Sequence, residues 1–190
     1  MKTIVILASG SGTLAQAIFD AIANETLDCT VAAVICDRSD APVILRAERL
    51  QVPVHLHPMV ADRQQWNKDL FTRLSSLSAD LIVSAGFMRI LDHSITSHFP
   101  IINSHPSLLP LFPGAHAVRD ALESGASRTG TTIHWIDAGV DTGEIIAQEA
   151  LAITQGESEE SLHERIKILE RSLIVATIST LLSMKEIGRP

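Results

Sequence analysis

Ile4-Val5-Ile6-Leu7-Ala8-Ser9-Gly10-Ser11-Gly12-Thr13-Leu14-Ala15-Gln16-Ala17-Ile18-Phe19-Asp20-Ala21-Ile22 is the stretch that decides the fold. Ile4 to Ala8 is a short unbroken apolar run, the mark of a strand buried on both faces of a parallel sheet. Leu14 to Ile22 has a strong helix pattern. Between them, Ser9 to Thr13 is a glycine turn. Strand, glycine turn and helix together place free backbone N–H groups and the positive helix end around a phosphate. Glycine lets the backbone approach the anion with no Cβ in the way. The same residues match a dinucleotide fingerprint, Gly10-x-Gly12-x-x-Ala15, and the next strand, Thr30 to Cys36, ends at Asp37, where an acid holds a cofactor ribose. On this stretch alone an NAD-dependent oxidoreductase leads. A lone match of this kind is weak, because any phosphate-binding turn between a strand and a helix resembles it.

The alternation continues outward. Pro42 to Leu50 reads as a helix, Val52 to His57 as a strand, and Asp62 to Leu77 as an amphipathic helix opened by an acid, with Arg63 in its first turn. Asp80 to Ala85 is another buried strand, followed by the turn Gly86-Phe87-Met88-Arg89-Ile90-Leu91. Repeated strand–helix units predict parallel strands with right-handed crossovers. In such sheets ligands gather beyond the carboxyl ends of the strands. Arg89 in an otherwise apolar turn reads as a solvated charge, or, with Met88, Ile90 and Leu91 around it, as the lip of a flat slot that accepts an aromatic ring. Farther on, His116 to Ser124 is a helix, and Thr131 to Asp137 and Glu144 to Ala150 are strands. The connection between those strands is too short for a crossover helix, so this part is expected to be antiparallel. Glu157 to Ile187 is a long amphipathic helix with Ser158 as its cap. The expected fold is α/β: a mostly parallel central sheet, helices on both faces, and an antiparallel part toward the C-terminus.

Composition narrows the class. The chain has 190 residues, 46% hydrophobic and 19% charged, enough for one sizeable core and too little for two comfortable domains. No apolar run approaches the roughly 20 residues that span a bilayer. Met1-Lys2-Thr3 and the short run after it lead into the glycine turn, so they read as a first core strand and not a signal peptide. Cys29 and Cys36 fit neither a disulfide framework nor a metal-ligand pair and read as reduced core thiols. Net charge is −7 with no basic run, which disfavours nucleic-acid binding through a broad positive face. The expectation is a soluble, cytoplasmic, single-domain protein with no membrane or nucleic-acid partner.

The chemistry concentrates in Asn103-Ser104-His105-Pro106-Ser107-Leu108-Leu109-Pro110. It follows Phe99-Pro100-Ile101-Ile102, which reads as a strand. Alternation along an extended chain points Asn103 and His105 to one side, and Pro106 biases His105 away from helical geometry. A two-donor amide beside an imidazole suits reaction at a carbonyl: one steadies an oxyanion, the other moves protons. Three constellations compete. Asp137, Asp141 and Glu144 with His105 or His134 form a conceivable metal set, but without calcium-loop or zinc-cluster spacing. Ser104 or Ser107 with His105 makes a nucleophilic pair, but neither serine sits in a G-x-S-x-G elbow. Asn103, His105 and Asp141 serve as oxyanion donor, proton carrier and orienting acid. An acid near an imidazole favours its charged form and fixes its orientation.

At these residues the chain resembles the phosphoribosylglycinamide formyltransferase family, folate-dependent enzymes of purine synthesis. The resemblance runs nearly the whole length. It is most specific at Ala85-Gly86-Phe87-Met88-Arg89-Ile90-Leu91, at Asn103-x-His105-Pro106-Ser107-Leu108-Leu109-Pro110 and at Asp137-x-x-x-Asp141-x-Gly143. The His105 to Pro110 element belongs to the wider group of 10-formyltetrahydrofolate users; the Gly10 loop picks out the glycinamide ribonucleotide branch.

The resemblance implies a single Rossmann-like formyltransferase domain over 1–190, with a phosphate-binding half over about 1–100 and a catalytic, folate-binding half over about 101–190. It implies Asn103, His105 and Asp141 as catalytic residues. Gly12, Thr13, Leu14 and, on the last helix, Glu170 hold the substrate; Arg63, Met88, Arg89, Ile90, Leu91 and Asn103 line the site of 10-formyltetrahydrofolate, with no metal. The molecule is expected as a monomer or homodimer. The family often has Asn at the place of Leu14 and Lys at the place of Leu111, so one side-chain contact and one cation near the phosphate are missing here. The nearest rivals are formyltransferases acting on charged initiator tRNA, expected to carry a further basic domain, formyl-folate hydrolases, expected to carry an extra regulatory domain, and a silent folate or nucleotide binding module.

Overall fold

The computed structural model describes residues 1–188. Along the chain run β1 (Lys2–Ala8), α1 (Thr13–Ala23), β2 (Cys29–Cys36), α2 (Val43–Arg49), β3 (Val54–Leu56), α3 (Arg63–Leu77), β4 (Leu81–Ser84), α4 (His93–Thr96), β5 (Ile101–His105), α5 (Ala117–Glu123), β6 (Arg128–Trp135), β7 (Ile145–Ala152) and α6 (Glu159–Ser183). The strands make one seven-stranded sheet in the order β3-β2-β1-β4-β5-β6-β7. All pairs from β3 across to β5 are parallel, and β5–β6 and β6–β7 are antiparallel.

β1 shows why the sheet is buried on both faces. Ile4, Ile6 and Ala8 pack with Ala15 and Ile18 of α1 and Ile174 and Ile178 of α6. Val5 and Leu7 point the other way, onto Trp66, Leu70 and Leu74 of α3. All five β1 residues from Ile4 to Ala8 are fully buried, which an alternating strand achieves only with a helix layer on each side.

The element boundaries differ from expectation where local forces are weak. β3 keeps only Val54 to Leu56 of the expected Val52 to His57, because a sheet-edge strand has one neighbour to define it. Phe99 and Pro100 lie before β5, which continues instead through Asn103 to His105. α4 has no counterpart in the sequence reading; a single turn capped by Asp92 is too short to show a helical period. α6 starts at Glu159 behind its Ser158 cap and ends at Ser183.

Two consequences place the site. The sheet order sets the ends of β1, β4 and β5 side by side. The antiparallel hairpin then lays β6 against β5, with Asn103 opposite His134 and His105 opposite Thr132.

Candidate active site

The glycine loop is built around Gly12. It caps α1 in the left-handed region, φ 70°, and no side chain caps the helix. The first N–H groups of a helix have no partner within it, so those of α1 remain for an anion. A Cβ on Gly12 would lie 2.6 Å from Val43 Cβ. Gly12→Ala is therefore expected to cost about 1–2 kcal/mol from the left-handed backbone alone, plus the displacement of α2, read as a lowered urea midpoint. Arg46 of α2 braces the loop, its Nε donating to the Ser11 carbonyl at 2.8 Å. Thr13 opens the helix. The Leu14 side chain packs against the core, so this position contributes backbone to the loop.

The Gly86–Leu91 turn is clasped to this loop. Ser9 N–H donates to the Gly86 carbonyl at 3.1 Å, and Met88 N–H donates to Ser9 Oγ at 2.9 Å. Arg63 joins from α3: it donates to the Ile90 carbonyl, and its guanidinium lies 4.3 Å over the Trp66 ring. Met88 and Ile90 are exposed, whereas Leu91 is buried in the core. Arg89 donates through Nε to Asp37 Oδ2 at 2.5 Å. The two line a cavity of about 280 Å³ with Ser9, Gly10, Arg38, Gly86 and Met88. The Asp37 side chain is fully enclosed, so the acid of the dinucleotide fingerprint serves as an arginine partner.

On β5, alternation sends Asn103 and His105 to one face and Ser104 to the other. Ser104 Oγ donates to Glu170 Oε1 at 2.8 Å, which sets Glu170 on the α6 side of the strand, the side that also carries α1. Partial burial there pushes the Glu170 carboxyl above its usual range, against the Ser104 hydrogen bond and the charges of Lys167 and Arg171. A raised folded-state carboxyl value means that burying the ionised form costs stability above that value, and the cost fades as pH falls through it toward the unfolded one. Glu170→Gln is thus expected to have a higher urea midpoint than the parent at pH 7 and the same midpoint near pH 4.

His105 Nε2 meets the Phe112 carbonyl at 2.8 Å, and its Nδ1 lies 3.3 Å from Asp141 Oδ2. Both partners are acceptors only, so the ring satisfies both when it carries both protons. The loop bearing Phe112 is pinned to the hairpin: Leu109 N–H donates to Thr132 Oγ1 at 3.1 Å, and Gln148 Nε2 donates to the Leu109 carbonyl at 2.8 Å. Asp141 arrives on the turn between β6 and β7. Gly143 makes that turn possible, since a Cβ there would lie 1.7 Å from the Trp135 carbonyl. Asp137 organises the same turn, accepting from Gly139 N–H and Thr142 Oγ1; it is a scaffold for Asp141. Burial works to raise the Asp141 carboxyl, but His134, the Gly114 N–H at 2.8 Å and the charge of His105 prevail and hold it below its usual range.

His134, which the sequence alone suggests only as a metal ligand, is a member of this cluster. It is buried, with Nε2 3.2 Å from Asn103 Nδ2 and 3.5 Å from Asp141 Oδ1. Its signal was the alternation of β6, legible only with the β5–β6 register. Among the described residues, no group of three or more His, Cys, Asp or Glu comes together as a metal cage, and no helix is long and apolar enough to cross a membrane.

A phosphate-type loop beside an amide, an imidazole and a carboxylate, all on one rim of a mostly parallel sheet, is an arrangement for acyl transfer to a phosphorylated acceptor. Comparison with known proteins gives the class: residues 2–178 match the formyl transferase family model. A phosphoribosylglycinamide formyltransferase of Mycobacterium tuberculosis is 43% identical over 185 residues, covering 94% of this chain and 84% of that protein. The Bacillus subtilis enzyme of the same name is 34% identical over 192 residues, covering 99% and 98%. The crystal structure of phosphoribosylglycinamide formyltransferase from Bacillus halodurans superposes with a TM-score of 0.92 at 38% identity, covering 97% of each chain. The chain belongs to the phosphoribosylglycinamide formyltransferase family.

Proposed function

We propose that this protein transfers the formyl group of 10-formyltetrahydrofolate to the amine of N1-(5-phosphoribosyl)glycinamide, a step of purine biosynthesis, through a tetrahedral intermediate and with no covalent enzyme adduct. The observation that carries this reading is the convergence of Asn103, His105 and Asp141 on the rim of the sheet that also carries the Gly12 loop. The acceptor's phosphate rests on the backbone N–H groups from Gly12 to Leu14, where the helix end favours an anion. Its sugar lies toward Glu170. The folate enters along Arg63 and the Met88 to Leu91 turn, with the exposed Met88 and Ile90 giving apolar contact to its rings and Arg89, paired with Asp37, fixing the turn.

The attacking amine adds to the formyl carbon and the carbonyl oxygen becomes an oxyanion. Asn103 donates to it, and the doubly protonated His105 ring stabilises it by charge. Asp141, held ionised, orients that ring and relays the proton lost by the amine toward the departing folate nitrogen, directly or through one water. The enzyme acts in the cytoplasm, where the buried thiols of Cys29 and Cys36 stay reduced. Mass spectrometry of the acceptor after incubation with both substrates tests the assignment. The expected product carries one added formyl group; an unmodified acceptor with free formate in solution would identify a hydrolase instead.

A further inference from the structure

One group in the cluster has no role in that chemistry and yet touches two members of it. His134 faces Asn103 across the β5–β6 pair, next to a register irregularity between Ile133 and His134 in the β6–β7 ladder. Irregularities of this kind re-aim a side chain. Its ring is fixed at the far end: Nδ1 lies 2.9 Å from the Trp135 carbonyl. A carbonyl only accepts, so Nδ1 carries a proton. The neutral ring then presents Nε2 as a bare acceptor.

Nε2 has two neighbours that make opposite demands. Asn103 Nδ2, at 3.2 Å, is a donor and needs a bare nitrogen. Asp141 Oδ1, at 3.5 Å, is an acceptor and needs a second ring proton. One nitrogen cannot serve both. The Asn103 contact is at hydrogen-bonding length and the Asp141 contact is at its outer limit, so the shorter contact is the one made. Asp141 then keeps the Gly114 N–H and His105 as the donors that hold its carboxyl low, and His134 adds to them only when its Nε2 carries a proton.

The consequence falls on Asn103. An amide has a donor end and an acceptor end, and a free side chain can turn either toward an incoming carbonyl. Only the donor end stabilises an oxyanion. With one Nδ2 hydrogen committed to His134, the amide is locked in the orientation that leaves its other hydrogen for the formyl oxygen. We propose that His134 is a positioning residue for formyl transfer, its bare Nε2 holding the Asn103 amide with the donor end toward the reacting carbonyl. This rests on the formyl-transfer reading above.

Two substitutions separate the ring's bonds. Asn at position 134 keeps a donor near the Trp135 carbonyl but falls short of Asn103; Gln places a carbonyl oxygen near the position of Nε2. His134→Asn is expected to lower kcat about 10- to 100-fold, part of the value of one oxyanion donor, with the KM of both substrates changed less than about threefold. His134→Gln is expected to recover most of that loss. In an Asn103→Ala background, His134→Asn is expected to cost nothing further, because its effect runs through the missing amide. An unchanged kcat, a loss confined to KM, or the same loss in the Asn103→Ala background overturns the proposal. Nuclear magnetic resonance of the wild-type protein labelled at its histidine nitrogens needs no variant: a protonated Nδ1 with bare Nε2 supports it, and a proton on Nε2 in the active pH range overturns it. Absence of formyl transfer by the wild-type protein would strike the reading of the reaction itself, which keeps the two failures distinct.

Discussion

Asn103→Ala is expected to lower kcat by about 10²–10³, the scale of a single oxyanion donor in an enclosed site, while leaving the KM for both substrates nearly unchanged. The reason is geometric. Asn103 sits on β5 with its amide between His134 and the open rim, so its loss removes a contact that strengthens as charge develops on the formyl oxygen. Interactions of that kind lower kcat and kcat/KM together. The β5 backbone stays paired with β4 and β6 on either side, so the variant is expected to fold, which circular dichroism and the urea midpoint check. Near wild-type turnover in a folded Asn103→Ala protein would remove the residue from the mechanism.

Asp141→Asn is expected to cost about 10²–10⁴ in kcat, the range for a positioned proton-transfer group. It removes the charge that faces His105 Nδ1 and the base that relays the amine proton, while an amide still accepts from the Gly114 N–H. The pH dependence carries a sign. The Asp141 carboxyl lies below its usual range, so in the wild-type enzyme it is ionised at neutral pH and any acid limb it imposes on kcat is displaced to lower pH than for an ordinary carboxylate. For stability, its ionised form contributes above the unfolded value near 3.8, and that contribution is lost as pH falls through the lower folded value. Urea midpoints of wild type and Asp141→Asn are thus expected to differ at pH 6 and to converge as pH falls through the lowered folded value. A difference that persists unchanged below that value would contradict the assigned direction.

The parts of this account that were legible in the sequence are those that local pattern dictates. An unbroken apolar run such as Ile4 to Ala8 is affordable only inside a two-layered sheet, and the short link after Asp137 allows only an antiparallel return. Period-two geometry alone put Asn103 and His105 on one face. The rest depends on partners far apart in the chain. The pairing of Arg89 with Asp37, the Ser9 hydroxyl under Met88 and the register of His134 against Asn103 are set by strand order, to which no short window has access. Two residues named for the site by resemblance, Leu14 and Leu91, put their side chains into the core, because a helix start and a tight turn each carry one side chain inward while exposing backbone. Glu170, named for the substrate, lies behind β5 against Ser104, a placement that follows only once α6 is docked.

The central claim is that this site passes a formyl group between two bound small molecules. It is tested most directly by following tetrahydrofolate release from 10-formyltetrahydrofolate in the presence and absence of N1-(5-phosphoribosyl)glycinamide. The account predicts release that depends on the acceptor and matches formylated acceptor one for one. Release that proceeds equally without the acceptor, or none with both substrates present, would contradict it.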